Sequence, residues 1–298
     1  MNDNASTSNH ASHAGAWTLG DLPVNRIGLG AMRLTGSAAF DLGTPSDRDV
    51  SIRVLRRAIE LGVNHIDTAS FYFSRLRSAN ELINTALSPY PDDLVIATKV
   101  GPGRDPSGEW YTATPEQLRG QVEQNLRQLG RDHLDLVNLR RMSQHSIAEH
   151  FGALAELRDA GLIRHLGVSN VSTEHLAQAQ AIAPVVCVQN RFNLDLRPHD
   201  DLLQRCGEQG IAFVPYFAIA GEGRERGSAA AGGESDQVRA VAEAHGASSA
   251  QVRLAWTLHQ GQHVLAIPGT GNPDHLEANV AAGRLRLTDE DLALLDAG

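Results

Sequence analysis

Apolar positions along the chain follow two rhythms that alternate. Short, nearly unbroken apolar runs fall at residues 26–32, 64–67, 94–100, 134–141, 163–170, 185–190, 211–216 and 264–268. Runs of this length read as buried strands. Between them, apolar residues recur at helical spacing, as with Ile52, Leu55 and Ile59. Helix starts are marked by Asp47, by Thr114-Pro115 with Gln117 three residues on, and by Ser146 with Glu149. Gly62, Gly130 and Gly161 suit helix ends. Residues 17–26 read as a small hairpin turned near Gly20-Asp21, and residues 287–295 as a C-terminal turn.

Strands alternating with helices at about 30-residue intervals predict parallel strands covered by helices. Eight such units predict an α/β fold with a single closed (β/α)8 barrel, an N-terminal hairpin and extra helices near the C-terminus. A doubly wound sheet is the alternative. It normally carries a glycine fingerprint opening the first helix, which the residues after Gly28-Leu29-Gly30 do not supply. Residues 17–298 are read as one barrel domain. Residues 1–16, rich in Ser, Asn, His and Ala, read as a disordered tail without the apolar core of a secretory signal.

In a barrel the functional site gathers at the C-terminal ends of the strands. The polar residues expected there are Asp67, Tyr72, Lys99, Asn138, Arg140, Ser169, Asn170, Gln189, Asn190 and Tyr216. Lys99 ends an apolar strand, and an unpaired buried ammonium is costly, so Asp67 is its expected counter-ion. A phenol has an ordinary pKa of about 10. An ammonium beside it lowers that value. Tyr72, Lys99 and Asp67 thus form a candidate general acid able to protonate a carbonyl oxygen. A structural ion pair with a tyrosine nearby by chance is the competing reading.

The formal net charge of −9 argues against nucleic acid or an anionic membrane as a main partner. Two cysteines, Cys187 and Cys206, are too few for a disulfide framework and fit a cytoplasmic protein. No apolar run approaches the roughly 20 residues of a membrane span. No obligate protein partner is evident. No metal is expected: His65 and Asp67 alternate on a strand, but His65 is assigned to the face toward the helices.

With these residues in place, the chain resembles the aldo-keto reductases over nearly its whole length. The motifs are residues 62–69 with Tyr72, Ala97-Thr98-Lys99-Val100, residues 161–170, Val188-Gln189-Asn190, and Ile267-Pro268-Gly269-Thr270 with Asn279. Within the family, residues 134–140 and the Val214-Pro215-Tyr216-Phe217 stretch look most like the bacterial pyridoxal reductase branch. The resemblance implies reduction of a small aldehyde or ketone by NADPH, with NADH as the alternative. It makes Tyr72 the proton donor, Lys99 its modulator and Asp67 the partner of Lys99. It assigns cofactor contacts to Gly30, Ala31, Met32, Asp67, Ser169, Asn170, Gln189, Tyr216, Phe217, Ala218, Ile219 and Pro268. Gly269, Thr270, His275 and Asn279 fall where the family grips the adenosine 2′-phosphate. Met32, Phe73, Trp110, Tyr111 and Arg140 border the substrate.

Three departures bear on function. Arg140 stands where the family has a catalytic histidine. Strand alternation puts Leu136, Asn138 and Arg140 on one face. An always-charged guanidinium there favours a substrate with an anionic group, such as pyridoxal, unless a structural acid pairs it. Gly269 and His275 replace the basic residues usual at the phosphate grip, and Arg224 and Arg226 in a glycine-rich loop at 220–233 are a substitute source of charge. Phe73 replaces a glycine after the tyrosine. Two other functions compete with carbonyl reduction: reduction of an activated C=C bond or a biosynthetic ketone, and a non-catalytic cofactor-binding subunit.

Overall fold

In the computed structural model, which describes residues 9–37, 43–219 and 235–297, strands and helices alternate along the chain. The strands are β1 (Ala16–Leu19), β2 (Leu22–Asn25), β3 (Leu29–Gly30), β4 (His65–Asp67), β5 (Val95–Val100), β6 (Pro102–Arg104), β7 (Trp110–Thr112), β8 (Leu134–Arg140), β9 (Ile163–Ser169), β10 (Cys187–Gln189) and β11 (Ala212–Phe213). The helices are α1 (Arg48–Glu60), α2 (Ala79–Leu87), α3 (Leu118–Leu129), α4 (Ala148–Asp159), α5 (Thr173–Gln180), α6 (Asp200–Glu208), α7 (Asp236–His245), α8 (Ser249–His259), α9 (Pro273–Ala281) and α10 (Asp289–Asp296). The start signals act as read: the Asp47 carboxylate accepts the Val50 N–H at 2.9 Å, and Thr114 with Gln117 forms a capping box. Residues 287–295, read as a turn, instead carry most of the eight-residue helix α10, which Thr288 and Asp291 cap.

Seven strands form one parallel sheet in the order β3-β4-β5-β8-β9-β10-β11. Helices cover it, as in an α/β barrel. The apolar run at 264–268 forms no regular strand. Isolated parallel bridges instead join Val264 to Phe213 at one edge of the sheet, and Ala266 and Gly269 to Ile27 and Gly30 at the other. Pro268, lacking an N–H, limits the ladder there. β1 and β2 pair antiparallel. Residues 101–113 carry the antiparallel ribbon β6–β7.

Strand alternation divides the core in two. One apolar layer lies between sheet and helices. A smaller one lies on the other face and holds Val95, Ala97, Leu136, Cys187, Ala212 and Leu265, with Leu19 and Val24 of the β1–β2 pair packed against them. Along each strand this inner face turns polar toward the C-terminal end. Val95 and Ala97 lead to Lys99, Leu136 to Asn138 and Arg140, Gly167 to Ser169, and Cys187 to Gln189. The register sets Lys99 beside Asn138, Arg140 beside Ser169, and Ser169 beside Gln189.

Two expectations change. The disordered tail does not extend through residue 16, because residues 9–16 pack on the fold. Ala11–Ala14 forms a 3-10 turn, the Ala11 N–H donates to the Leu61 carbonyl at 2.8 Å, and Ala11 and Ala14 are buried. The Arg26 guanidinium pins this segment by donating to the carbonyls of Ala14, Val264, Leu258 and Gly261. Small alanines let the turn lie close to the body, which a polar composition conceals. The glycine-rich loop at 220–233, with Arg224 and Arg226, lies outside the described residues.

His65 faces the inner side of the sheet, not the helices. It shares that face with Asp67, and its ring fills the space over Gly28, where a Cβ would stand 2.2 Å from Nε2. Burial lowers its pKa from 6.5 to about 4. The unfolded chain therefore takes up this proton near pH 6.5, while the folded chain resists it to about pH 4. The stabilisation is complete above pH 6.5 and is lost as pH falls through about 4. Between pH 7 and pH 4 the wild type is expected to lose about 3 kcal/mol more stability than His65→Gln. Urea denaturation midpoints measured across that range test this; parallel pH profiles would refute it.

Candidate active site

At the polar ends of β4 and β5 sits a buried ion pair. Lys99 Nζ donates to Asp67 Oδ2 at 2.5 Å and to the Thr68 carbonyl at 3.0 Å. From β10, Gln189 Nε2 donates to Asp67 Oδ1 at 2.8 Å. Both oxygens of the carboxylate are thus held, by strands from two parts of the sheet. Burial alone lowers the pKa of Lys99, but Asp67 and Tyr72 outweigh it and hold the ammonium above its ordinary value.

Tyr72 lies just past β4, where its N–H bonds the Ala69 carbonyl at 3.0 Å. Lys99 Nζ stands 4.9 Å from its ring centroid and hydrogen-bonds the phenol. Burial raises the phenol pKa; Lys99 lowers it, Asp67 raises it and Arg140 lowers it, and the net direction is up. The expectation of a lowered value therefore fails in this state. Desolvation of a fully buried phenol exceeds the pull of an ammonium already neutralised by Asp67. At neutral pH Tyr72 holds its proton.

Arg140, at the end of β8, is half-buried. Its Nη1 lies 3.5 Å from Ser169 Oγ, and its Cζ sits 5.1 Å from the Tyr216 ring centroid. Among the described residues it forms no ion pair, which leaves its charge for a ligand. Asn170 and Phe217 adopt left-handed backbone angles, with φ of 60° and 65°. Such conformations in residues other than glycine cost on the order of 1 kcal/mol or more and need outside support. Asn170 Nδ2 donates to the Arg141 carbonyl at 2.8 Å, and Asn193 Nδ2 to the Phe217 carbonyl at 3.1 Å.

One cavity opens over this floor. Of the expected residues it is lined by Gly30, Met32, Asp67, Tyr72, Lys99, Arg140, Gln189, residues 216–219, Pro268 and Gly269. Ser169 is buried behind Arg140, and Ala31 is buried beneath the wall. Asn170, Thr270 and Asn279 lie outside the lining; Thr270 is buried just before α9 and Asn279 is buried near its C-terminal end, while His275 is exposed on that helix. Asn272 caps α9 by accepting the Asp274 N–H at 2.8 Å. Phe73 lies under Arg104, 4.4 Å from ring centroid to Cζ, away from the cavity. Trp110 and Tyr111 are exposed on β7. Trp110 meets Phe71 edge-on at 5.6 Å, and Phe71 meets Tyr72 at 5.1 Å, so Trp110 touches the site through Phe71. Arg33, Phe71, Pro215 and Ile267 also line the cavity and had not been singled out. Phe71 and Pro215 adjoin residues that had been, and Arg33 is a lone cation after a glycine-rich strand.

A parallel sheet curled under helices, with a tyrosine, a lysine–aspartate pair and an arginine at its strand ends, fits an enzyme of the α/β-barrel kind. The model of the Aldo/keto reductase family matches residues 26–297, and the chain belongs to that family of oxidoreductases. It is 43% identical to pyridoxine 4-dehydrogenase of Escherichia coli (strain K12) over 288 residues, covering 94% of this chain and 96% of that one. It is 30% identical to a methylglyoxal reductase of the same organism, covering 93% and 92%. Among solved structures it resembles a glycerol dehydrogenase from Gluconobacter oxydans, with a TM-score of 0.82, 25% identity and coverage of 95% and 94%. An aldo-keto reductase from Klebsiella pneumoniae in complex with NADPH gives 0.76 and 30%, covering 92% and 91%. The resemblance read from the motifs is borne out, and the family binds NADP(H).

The ion pair makes a stability prediction. Asp67→Asn strands a buried ammonium and is expected to lower unfolding free energy by about 3–5 kcal/mol. Lys99→Met added to Asp67→Asn should recover much of that loss. Chemical denaturation of both variants checks it. A double variant no more stable than the single one would show that the pair is not coupled.

Proposed function

We propose that this protein reduces an aldehyde or ketone to the alcohol, with NADPH as the hydride donor and Tyr72 as the proton donor. The observation that carries this reading is the protonated, buried Tyr72 beside the Asp67–Lys99 pair on the floor of an open cavity. We further infer that residues 264–269 serve as the eighth unit of a closed barrel, on the strength of their bridges to both sheet edges.

The residues present fit a nicotinamide. Gln189 Oε1 is buried without a hydrogen-bond partner among the described residues, and a carboxamide N–H would satisfy it. The Tyr216 ring and the Ile219 side chain offer apolar surface on the same wall. Ser169 and Asn170 complete the expected carboxamide contacts, and Gly269, Thr270, His275 and Asn279 those to the adenosine phosphate. When bound, the reduced nicotinamide supplies a hydride to the carbonyl carbon. Tyr72 gives its proton to the carbonyl oxygen, and Lys99, held charged by Asp67, stabilises the phenolate that remains. Arg140 orients the substrate. Its charge, unpaired by any described carboxylate and stacked on Tyr216, favours a flat aldehyde with an anionic group, pyridoxal being the leading case. The likeness to pyridoxine 4-dehydrogenase supports that choice. Two free buried cysteines support a reducing, cytoplasmic setting.

NADPH oxidation with pyridoxal and a panel of neutral and anionic aldehydes tests the reading. Tyr72→Phe is expected to reduce kcat by about 100-fold or more while NADPH still binds. Arg140→Ala is expected to raise KM about ten-fold or more for anionic aldehydes and much less for neutral ones. Wild type that binds NADPH yet reduces no carbonyl on the panel would overturn the proposal in favour of C=C reduction or a non-catalytic role. Equal losses on all aldehydes would remove Arg140 as a selector of anions.

A further inference from the structure

Two guanidiniums line the cavity, and the proposed chemistry uses only one. Arg140 comes from β8 and is committed to the inner end, against Ser169 and Tyr216. Arg33 follows β3, which is separated from β8 by β4 and β5 in the sheet. Its Nη1 donates to the Ser37 carbonyl at 3.0 Å, on the outer side of the wall. The two cations therefore enter the cavity from different arcs and face different parts of any ligand.

Arg33 lies along the seam where β3 meets residues 264–269. A Cβ at Gly269 would touch Arg33 Cγ at 3.4 Å, and one at Gly271 would crowd the Arg33 carbonyl at 3.2 Å. The Arg33 stem thus lies at contact distance from Gly269, and its backbone lies beside Gly271. Residues 269–279 contain no lysine or arginine of their own, and they contain Asp274 and Glu277. Glu277 is paired with Arg57 at 2.8 Å, and Asp274 lies in the first turn of α9. A phosphate laid against this wall would meet acids unless a cation reached it from another element. Arg33 is half-buried in that wall and supplies one.

We propose that Arg33 holds a phosphate group of the dinucleotide, entering from the first strand of the sheet to supply the charge that residues 269–279 lack. This rests on the dinucleotide reading given above. Its phosphates are of two kinds, the pyrophosphate common to NAD and NADP and the 2′-phosphate of NADP alone. A planar guanidinium grips either with paired donors, which a lysine cannot reproduce.

Calorimetric titration of the purified protein with NADP+ and NAD+, without turnover, tests the inference. Arg33→Gln, which keeps the stem and removes the charge, is expected to weaken NADP+ binding about ten-fold or more. Arg33→Lys should lie between that variant and wild type. A matching loss for NAD+ assigns Arg33 to the pyrophosphate, and an unchanged NAD+ affinity assigns it to the 2′-phosphate. NADP+ binding equal to wild type in Arg33→Gln would overturn the inference alone. A higher KM for the aldehyde with unchanged dinucleotide affinity would overturn it too, by making Arg33 a substrate contact. A wild type that binds neither dinucleotide would overturn the cofactor reading and this inference together.

Discussion

The site depends on keeping one ammonium charged where there is almost no water. Desolvation works against the Lys99 ammonium and lowers its pKa. Asp67 prevents this at 2.5 Å, and Gln189 fixes the aspartate from the far side at 2.8 Å. The carboxylate is thus both counter-charge and anchor. Because the carboxylate stands on β4 and its partners come from β5 and β10, the electrostatics of the floor require the sheet to be curled. A flat sheet would hold β10 three strands away from β5.

The same demand explains the pattern of side chains on the inner face. Polar groups cannot be spread through a dry interior without partners. The chain confines its apolar inner positions to the N-terminal ends of the strands, where the β1–β2 pair covers them. Polar positions follow two residues further on, at the open end. One alternation thus produces a packed base and a reactive rim, and small residues such as Ala97, Gly167 and Ala212 leave room for the long side chains above. His65 is the exception at depth, and its burial as a neutral ring is what makes it sensitive to acid.

The sequence shows the strands through their apolar runs, and their polar ends locate Asp67, Lys99, Arg140 and Gln189 because strand period two is strict, while Tyr72 follows just past the end of β4. It reveals less where periodicity fails. Residues 264–268 look like a strand, yet Pro268 and the meeting of two sheet edges reduce them to bridges. Residues 9–16 look disordered, yet two alanines and the carbonyls that Arg26 gathers fasten them down. Phe71 reaches the cavity from a turn and Arg33 from a short 3-10 helix, where no strand pattern gives direction. For His65 the parity with Asp67 was available in the sequence. Its inward place was obscured because the space it occupies is made by Gly28, on a different strand. The direction of the Tyr72 shift depends on depth of burial, which no spacing encodes.

Arginine in place of histidine changes the charge of the floor. Asp67 and Lys99 cancel, so the site carries the charge of Arg140 at every accessible pH. In the proposed reaction Tyr72 must start protonated to act as an acid, and burial raises its phenol pKa in that sense. It must also be able to lose that proton as charge develops on the carbonyl oxygen. Arg140 and Lys99 both pull its pKa down against burial, so two cations stand ready for the phenolate without forming it prematurely. A neutral histidine could donate one hydrogen bond but would add no fixed charge. The arginine adds that charge within a wall that includes Phe71, Tyr216 and Met32, where low polarity strengthens it. A neutral substrate would leave this charge partly desolvated and uncompensated. An anionic one would neutralise it, so in the proposed reaction Arg140 both stabilises the developing charge and discriminates between substrates before the reaction begins.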